Sequence, residues 1–153
     1  MKITEILSGD MVVPELGGAT KPQVLRELAQ PFANKYRDLD LAAITAVLAE
    51  RERLGSTAIG DGIAIPHGKL AGVKQIVGIF GRHRKGVDFD SLDGRPTHLF
   101  FVLVAPEDST SLHLKALARV SRLFKDGSFR ERLMAADEGQ EIFRIIVEED
   151  TRY

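Results

Sequence analysis

The sequence predicts a single α/β domain in which a central β-sheet is covered by helices on both faces. Two segments, Gln75–Gly81 and His98–Ala105, are apolar almost throughout and have the length of strands. Strands that are apolar on both sides are typical of a sheet buried between helices. Elsewhere, apolar residues recur at helical spacing. The length of 153 residues fits one domain with a sizeable core.

Composition narrows the classes of function. The chain has 21 basic and 22 acidic residues, a formal net charge of −1, and no cysteine. It therefore lacks the basic excess of a nucleic-acid binder, and disulfides, thiolate zinc sites and thiol catalysis are excluded. There is no signal-peptide pattern, and the longest apolar run, Leu99–Ala105, is too short to span a bilayer. We expect a cytoplasmic protein with no nucleic-acid partner and no membrane insertion.

The N-terminal third contains clear helix signals. Ile3–Leu7 predicts one helical turn, and Asp10–Val13 predicts a short edge strand. Thr20 is expected to cap a helix that has Pro22 in its first turn. Pro31 is expected to kink or restart this helix.

A second helix is predicted to start at Asp38 or Asp40 and to end near Leu54, with Gly55 as its C-terminal stop. Its core-facing residues are expected to be Leu41, Ile44, Val47 and Leu48. Arg51 lies in its last turn, where a basic side chain suits the helix dipole and by default faces solvent.

Basic residues Arg82–Lys85 follow the first of the two apolar strands. With the Asp93-Gly94 turn they are expected to form a solvated hairpin or loop. The basic side chains then either lie on a solvated edge of the sheet or contact a partner protein. His83 and His98 have no organised neighbours in the sequence and are assigned no role.

Three helices are predicted to complete the domain. The first follows Ser109–Ser111, which offers an N-cap, and the others lie around Phe129–Ala135 and Glu138–Glu148. Residues 149–153 are expected to fray, which leaves a domain of residues 1–148.

The segment that ends in Pro66-His67-Gly68 is the candidate functional site. Gly60 and Gly62 precede the apolar run Ile63–Ile65, and Pro66 limits it to a short strand. Pro66 fixes its own φ and Gly68 permits close approach of a ligand, so His67 is expected on a stiff turn. A neutral imidazole displayed there can accept a phosphoryl or acyl group. The alternative is a histidine that caps the strand by a hydrogen bond to backbone.

A second histidine lies on an apolar helix face. In the helix after Ser109 this face consists of Ala116, Leu117, Val120, Leu123 and Phe124. His113 lies in the middle of it, in the first turn. It is either a core histidine bonded to a backbone carbonyl or the lining of a phosphate pocket at the helix N-terminus.

Other catalytic motifs are missing from the sequence. It contains no Walker loop, GxSxG elbow, HExxH or CxxC. No cofactor and no metal are therefore predicted.

The stretch Glu52–Gly68 resembles the enzyme IIA domain of the mannitol/fructose class of the bacterial phosphoenolpyruvate-dependent phosphotransferase system. The signature of that family is met at every position: an acidic or amide residue, a spacer, apolar-Gly, two residues, then apolar-Ala-apolar-Pro-His-Gly. Three stretches, Arg51–Thr57, Gly86–Pro96 and Ala105–Phe124, further resemble its nitrogen-regulatory branch. The resemblance extends over nearly the whole chain.

The resemblance implies the fold and the site. The sheet should be mixed, with helices on both faces. His67 should accept a phosphoryl group from phosphorylated HPr or its nitrogen-branch counterpart, and His113 and Arg51 should lie beside it. Phosphoryl transfer depends mainly on positioning and charge neutralisation, which suits an Arg fork and a neutral His donor. Further phosphate contacts are expected from Ser56, Thr57 and Gly68.

The resemblance also implies a carrier that regulates partner proteins in nitrogen or potassium metabolism, with a sensor kinase or a potassium transporter as candidate targets. One alternative is a sugar-specific IIA subunit that passes phosphate to a IIB domain for fructose or mannitol uptake. Another is a binding module whose His67 is never phosphorylated. A hydrolytic metalloenzyme is disfavoured, because two separated histidines without clustered carboxylates make a poor metal site.

Overall fold

The computed structural model describes residues 1–152. The helices are Lys21–Lys35 (α1), Leu41–Arg53 (α2), Thr110–Phe124 (α3), Gly127–Ala135 (α4) and Gly139–Asp150 (α5). The strands are Val12–Val13 (β1), Ala58–Gly60 (β2), Ile63–Ala64 (β3), His67–Lys69 (β4), Val77–Val87 (β5) and Thr97–Ala105 (β6). Two 3₁₀ turns, Ile3–Glu5 and Gly9–Met11, precede β1.

Within the described residues, the six strands form one mixed sheet in the order β1-β5-β6-β3-β2, and β4 also pairs with β6. The pairs β1 with β5, β3 with β6 and β4 with β6 are parallel. The pairs β5 with β6 and β2 with β3 are antiparallel. The predicted mixed sheet is therefore confirmed, with β6 at its centre.

Helices cover both faces of this sheet. Phe80 of β5 stacks on Phe124 of α3, with ring centroids 6.1 Å apart. The next residue, Gly81, faces α1 so closely that a Cβ there would lie 2.5 Å from Leu28 Cδ2. Successive residues of a strand point to opposite faces, so α1 and α3 lie on opposite sides. The α2 helix packs beside α1 and against β4, and α4 packs against α3 and α5.

The strands β3 and β4 form one line along β6 that is interrupted at Pro66. Ile63 pairs with Leu99 and His67 pairs with Leu103, so the register is the same on both sides of the interruption. Pro66 has no N–H to donate, but its carbonyl accepts from Leu103 N at 3.0 Å. His67 consequently opens a short strand, where the sequence predicted a stiff turn.

The predicted starts and stop of the first two helices are confirmed. Thr20 caps α1 by accepting a hydrogen bond from Gln23 N. Asp40 caps α2 by accepting from Ala42 N. At the end of α2, Gly55 has a φ of +146°, which a residue with a side chain rarely adopts.

Of the two outcomes predicted for Pro31, a kink or a restart of the first helix, the structure excludes the restart. The α1 helix continues through Pro31 to Lys35. Leu28 and Phe32 on the same helix are fully buried. Their packing outweighs the cost of an interior proline, about 3 kcal/mol.

The predicted hairpin is present, since β5 and β6 are antiparallel and joined across the Asp93-Gly94 turn, but Arg82–Lys85 are not a solvated loop. These residues belong to β5, and both Arg82 and His83 are buried. The Arg82 guanidinium donates to the carbonyl oxygens of Leu133 and Ala136 at 2.8 and 2.6 Å. His83 Nε2 lies 2.8 Å from the Gly18 carbonyl oxygen. Burial of these polar groups is tolerated because they have hydrogen-bond partners.

The chain does not fray at residue 149 as predicted. The α5 helix includes Glu149 and Asp150, and both are buried. Asp150 accepts from the backbone N of Ile3 at 2.8 Å and pairs with Arg119 at 2.6 Å. These bonds fix the end of α5 to the start of the chain. Tyr153, the last residue of the predicted frayed segment, lies outside the described residues.

Candidate functional site

His67 stands at the start of β4 with a half-buried ring. Its Nδ1 lies 2.8 Å from the carbonyl oxygen of Ile65. A carbonyl only accepts, so this bond assigns the proton to Nδ1 and leaves a lone pair on Nε2. The backbone bond expected of a capping histidine is thus made by one ring nitrogen, and the other nitrogen is left as a nucleophile.

Arg51 reaches this nitrogen from the last turn of α2. Its Nε donates to His67 Nε2 at 3.3 Å, and its Nη1 donates to the Gly55 carbonyl oxygen at 2.8 Å. Within residues 1–152 its third nitrogen makes no hydrogen bond. Arg51 is therefore oriented towards the site rather than facing solvent by default, and it has donor capacity left for an anion.

Gly68 allows α2 to approach β4. A Cβ at this position would lie 2.4 Å from Val47 Cγ1, which is far inside van der Waals contact. From the sequence, we expected this glycine to let a ligand approach the backbone closely. The structure shows that it lets α2 pack closely against β4. The contact matters to the site because α2 carries Arg51 and β4 carries His67.

His113 lies beside His67. Their ring centroids are 5.3 Å apart, with 53° between the ring planes. His113 is 7% exposed and lies in the first turn of α3, and its buried Nδ1 has no hydrogen-bond partner among the described residues. Lys69 Nζ donates to Thr110 Oγ1 at 2.7 Å and ties β4 to the start of α3. The expected trio of His67, His113 and Arg51 is thus assembled.

Burial keeps both rings neutral. Desolvation lowers the pKa of His67 from its ordinary value of 6.5, the hydrogen bond to Ile65 opposes this shift, and the Arg51 guanidinium adds to it. Desolvation also lowers the pKa of His113, with smaller contributions from His67 and Lys69. At neutral pH His67 therefore presents an unprotonated Nε2, the form that attacks an electrophile.

Ser56 and Thr57 have protein partners in place of free hydroxyls. Ser56 Oγ donates to the Phe89 carbonyl oxygen at 2.6 Å. The Thr57 hydroxyl donates to the Glu52 carboxylate, and Thr57 is buried. Neither hydroxyl proton is available for the phosphate contact expected from the sequence.

The profile of the family described as "Phosphoenolpyruvate-dependent sugar phosphotransferase system, EIIA 2" matches residues 5–149. The chain belongs to this family. The resemblance predicted from the Pro-His-Gly signature is therefore confirmed.

EIIA 2 relatives of two kinds are similar to the chain. A nitrogen regulatory protein from Bradyrhizobium diazoefficiens is 41% identical over 146 residues, which cover 95% of each chain. A fructose-specific EIIABC component from Bacillus subtilis is 37% identical over 150 residues, 98% of this chain and 24% of that protein. The crystal structure of the nitrogen regulatory protein IIA-Ntr from Neisseria meningitidis has a TM-score of 0.87 and 38% identity, and covers 94% of this chain and 98% of that one. The predicted likeness to the nitrogen-regulatory branch is confirmed.

In residues 1–152, no group of three or more His, Cys, Asp or Glu side chains could hold a metal ion. Among the same residues, no helix is both long and apolar enough to cross a membrane.

Sequence reasoning missed two features of the site. One is the Ile65 carbonyl, which no side-chain motif can indicate. The other is Glu52, which stands one residue from Arg51 and is 8% exposed. Its signal was in the sequence, because Glu52 is the acidic residue that opens the family signature.

Proposed function

We propose that the protein is a phosphohistidine carrier in which His67 Nε2 accepts a phosphoryl group from the phosphohistidine of an HPr-type protein. The main support is the hydrogen bond from Nδ1 to Ile65, because it leaves the Nε2 lone pair facing the Arg51 guanidinium. Membership in a phosphotransfer family gives the chemistry its class. The proposal places the protein in the cytoplasm, in keeping with a chain that has no cysteine.

The proposed step is an in-line displacement at phosphorus. The lone pair of His67 Nε2 forms the new N–P bond while the N–P bond of the donor breaks, and its electron pair returns to the imidazole nitrogen of the donor. The proton on His67 Nδ1 stays with the Ile65 carbonyl. Arg51 shifts its donors from Nε2 to the phosphoryl oxygens, and the buried His113 offers a neutral N–H beside them.

Exposed leucines lie close in sequence to Arg51 and His113 and suit a protein donor. Leu54 follows the last turn of α2 and is 78% exposed, while Leu112 and Leu114 flank His113 and are 45% and 59% exposed. Apolar side chains around a charged site are typical of a surface that docks a protein. We therefore assign these leucines to contact with the HPr-type partner.

The proposed output is regulation. A phosphoryl group adds nearly two negative charges to the His67 surface and changes which proteins bind there. Relatives named nitrogen regulatory proteins support a regulatory role in nitrogen metabolism. In this proposal, the regulated partners bind the phosphorylated and the unphosphorylated protein with different affinities.

A second candidate is a sugar-specific subunit that passes phosphate to a IIB domain. The fructose-specific relative from Bacillus subtilis, which this chain matches over 98% of its length, favours it. Onward transfer from the phosphorylated protein to a purified fructose IIB domain would establish this candidate. The regulatory proposal predicts that no such transfer occurs.

Intact mass spectrometry tests the carrier proposal. The protein is incubated with phosphoenolpyruvate, enzyme I and HPr, beside the variants His67→Ala and His98→Gln. We expect a gain of one phosphoryl group in the wild type and in His98→Gln, and no gain in His67→Ala. A wild type that stays unmodified both with HPr and with its nitrogen-branch counterpart would overturn the proposal. A His67→Ala variant that is still modified would also overturn it.

A further inference from the structure

Glu52 is a buried acid beside the site with three partners. Its Oε1 accepts from Thr57 N at 3.1 Å and pairs with Lys21 Nζ at 2.8 Å, and its Oε2 accepts from the Thr57 hydroxyl. Lys21 also lies 4.6 Å from the centre of the Phe89 ring. A carboxylate that is desolvated to this degree needs such partners.

Three hydrogen bonds in series connect this carboxylate to the reactive ring. Thr57 N donates to Glu52, and the Thr57 carbonyl accepts from Ile65 N at 3.1 Å. The Ile65 carbonyl in turn accepts from His67 Nδ1 at 2.8 Å. Glu52 also follows Arg51 directly in α2, so one acid is connected to both groups that define the Nε2 position.

We propose that Glu52 is a positioning residue for His67, which holds the Ile65 carbonyl against Nδ1 and stabilises the positive charge that the ring gains on phosphorylation. This inference rests on the proposed carrier function. When Nε2 forms a bond to phosphorus and Nδ1 keeps its proton, the ring gains a formal positive charge. The three bonds belong to separate peptide groups and fix geometry, while the negative charge of Glu52 favours the charged ring through space.

The charges around His67 set the expected direction of its titration. Arg51 and His113 contact the ring, the Glu52 charge acts on it from behind Thr57, and the Lys69 charge acts on His113. Of these groups Glu52 raises the pKa of His67, whereas Arg51 lowers it. Removal of the Glu52 charge should therefore lower the midpoint of the His67 titration.

The main variant is Glu52→Gln, and Glu50→Gln is its matched control. Both remove one negative charge from α2, but Glu50 is exposed and pairs with Arg53. In the whole protein, without any donor, we expect the NMR titration midpoint of His67 to fall by about 0.5 pH unit in Glu52→Gln. We expect it to move by less than about 0.1 pH unit in Glu50→Gln, because solvent screens an exposed charge.

Phosphoryl uptake from phosphorylated HPr is the second readout. We expect the initial rate to fall about tenfold in Glu52→Gln and to stay within about twofold of the wild type in Glu50→Gln. Glu52→Asp, which keeps the charge, should recover part of the rate. A Glu52→Gln protein with unchanged titration and unchanged rate would overturn the proposal.

The Glu52→Asp variant guards against a Glu52→Gln protein that fails to fold. It keeps a negative charge beside Lys21, so the His67 midpoint should stay within about 0.2 pH unit of the wild type. A Glu52→Asp midpoint that falls by about 0.5 pH unit or more would overturn the proposal. The titration needs no phosphoryl donor. A His67 midpoint that does not respond to Glu52→Gln would therefore count against the role of Glu52, whereas a wild type that is never phosphorylated would count against the carrier function alone.

Discussion

At the level of single residues, the hydrogen bond from His67 Nδ1 to Ile65 decides which ring nitrogen reacts. The sequence could predict His67 as the site, because Pro66 and Gly68 mark it and the family signature surrounds it. The reactive nitrogen could not be predicted, because it depends on a carbonyl whose direction is set by the interruption between β3 and β4. The same limit applied to Ser56 and Thr57, whose hydroxyls find partners that are distant in sequence or buried.

Arg51 should be needed for transfer in a way that lysine cannot replace. Its Nε donates to His67 and its Nη1 to Gly55, and a lysine ammonium cannot make both bonds in that geometry. We expect Arg51→Lys to slow phosphoryl uptake by about 10- to 100-fold. The exposed Arg53→Lys serves as the control, and a rate equal to that of the control would contradict the role of Arg51.

The pH dependence of uptake should reflect the buried His67 ring. Only the unprotonated ring attacks phosphorus, and burial lowers the pKa of His67 below 6.5. Uptake should therefore persist below pH 6.5 and decline as the pH falls through the lowered pKa. Initial rates between about pH 5 and 8, with the donor kept fully phosphorylated, measure this. A midpoint above 6.5 would show that the ring is not desolvated as described.

At the level of elements, the site depends on how closely α2 packs against β4. The sequence correctly predicted the caps and end of α2 and the strand at Ile63, because these depend on local residues. It could not predict that Gly68 packs against Val47, since this contact joins two elements whose approach no local pattern reports.

Gly68→Ala should push α2 away from β4. The added methyl would lie 2.4 Å from Val47 Cγ1, so we expect a loss of about 1–3 kcal/mol in the free energy of unfolding and a slower phosphoryl uptake. Urea unfolding measures the first effect. The double variant Val47→Ala/Gly68→Ala should be more stable than Gly68→Ala alone, and a double variant that is less stable would exclude this contact as the cause.

Arg82 should stabilise the packing of β5 against the end of α4. Arg82→Met leaves the buried carbonyls of Leu133 and Ala136 without its donors, so we expect a loss of about 2–4 kcal/mol in the free energy of unfolding. The partly exposed Arg84→Met should cost about 0–1 kcal/mol. Equal losses in denaturant unfolding would contradict a special role for Arg82.

At the level of the whole molecule, the sequence predicted the layered α/β architecture because its two long strands are apolar on both faces. It erred where distant partners satisfy polar groups: Arg82 in β5 and Asp150 at the end of α5 are both buried with partners from other elements. The assembled fold then brings α2, β4 and α3 together, and with them Arg51, His67 and His113.

The nitrogen spectrum of His67 before and after phosphorylation tests the central claim most directly. Protein labelled with ¹⁵N-histidine is examined by long-range ¹H–¹⁵N NMR, first alone and then with phosphoenolpyruvate, enzyme I and HPr. We predict a ring protonated at Nδ1 in the free protein, and phosphorus bound to Nε2 with the Nδ1 proton retained after transfer. Phosphorus on Nδ1, or a free ring protonated at Nε2, would contradict the account.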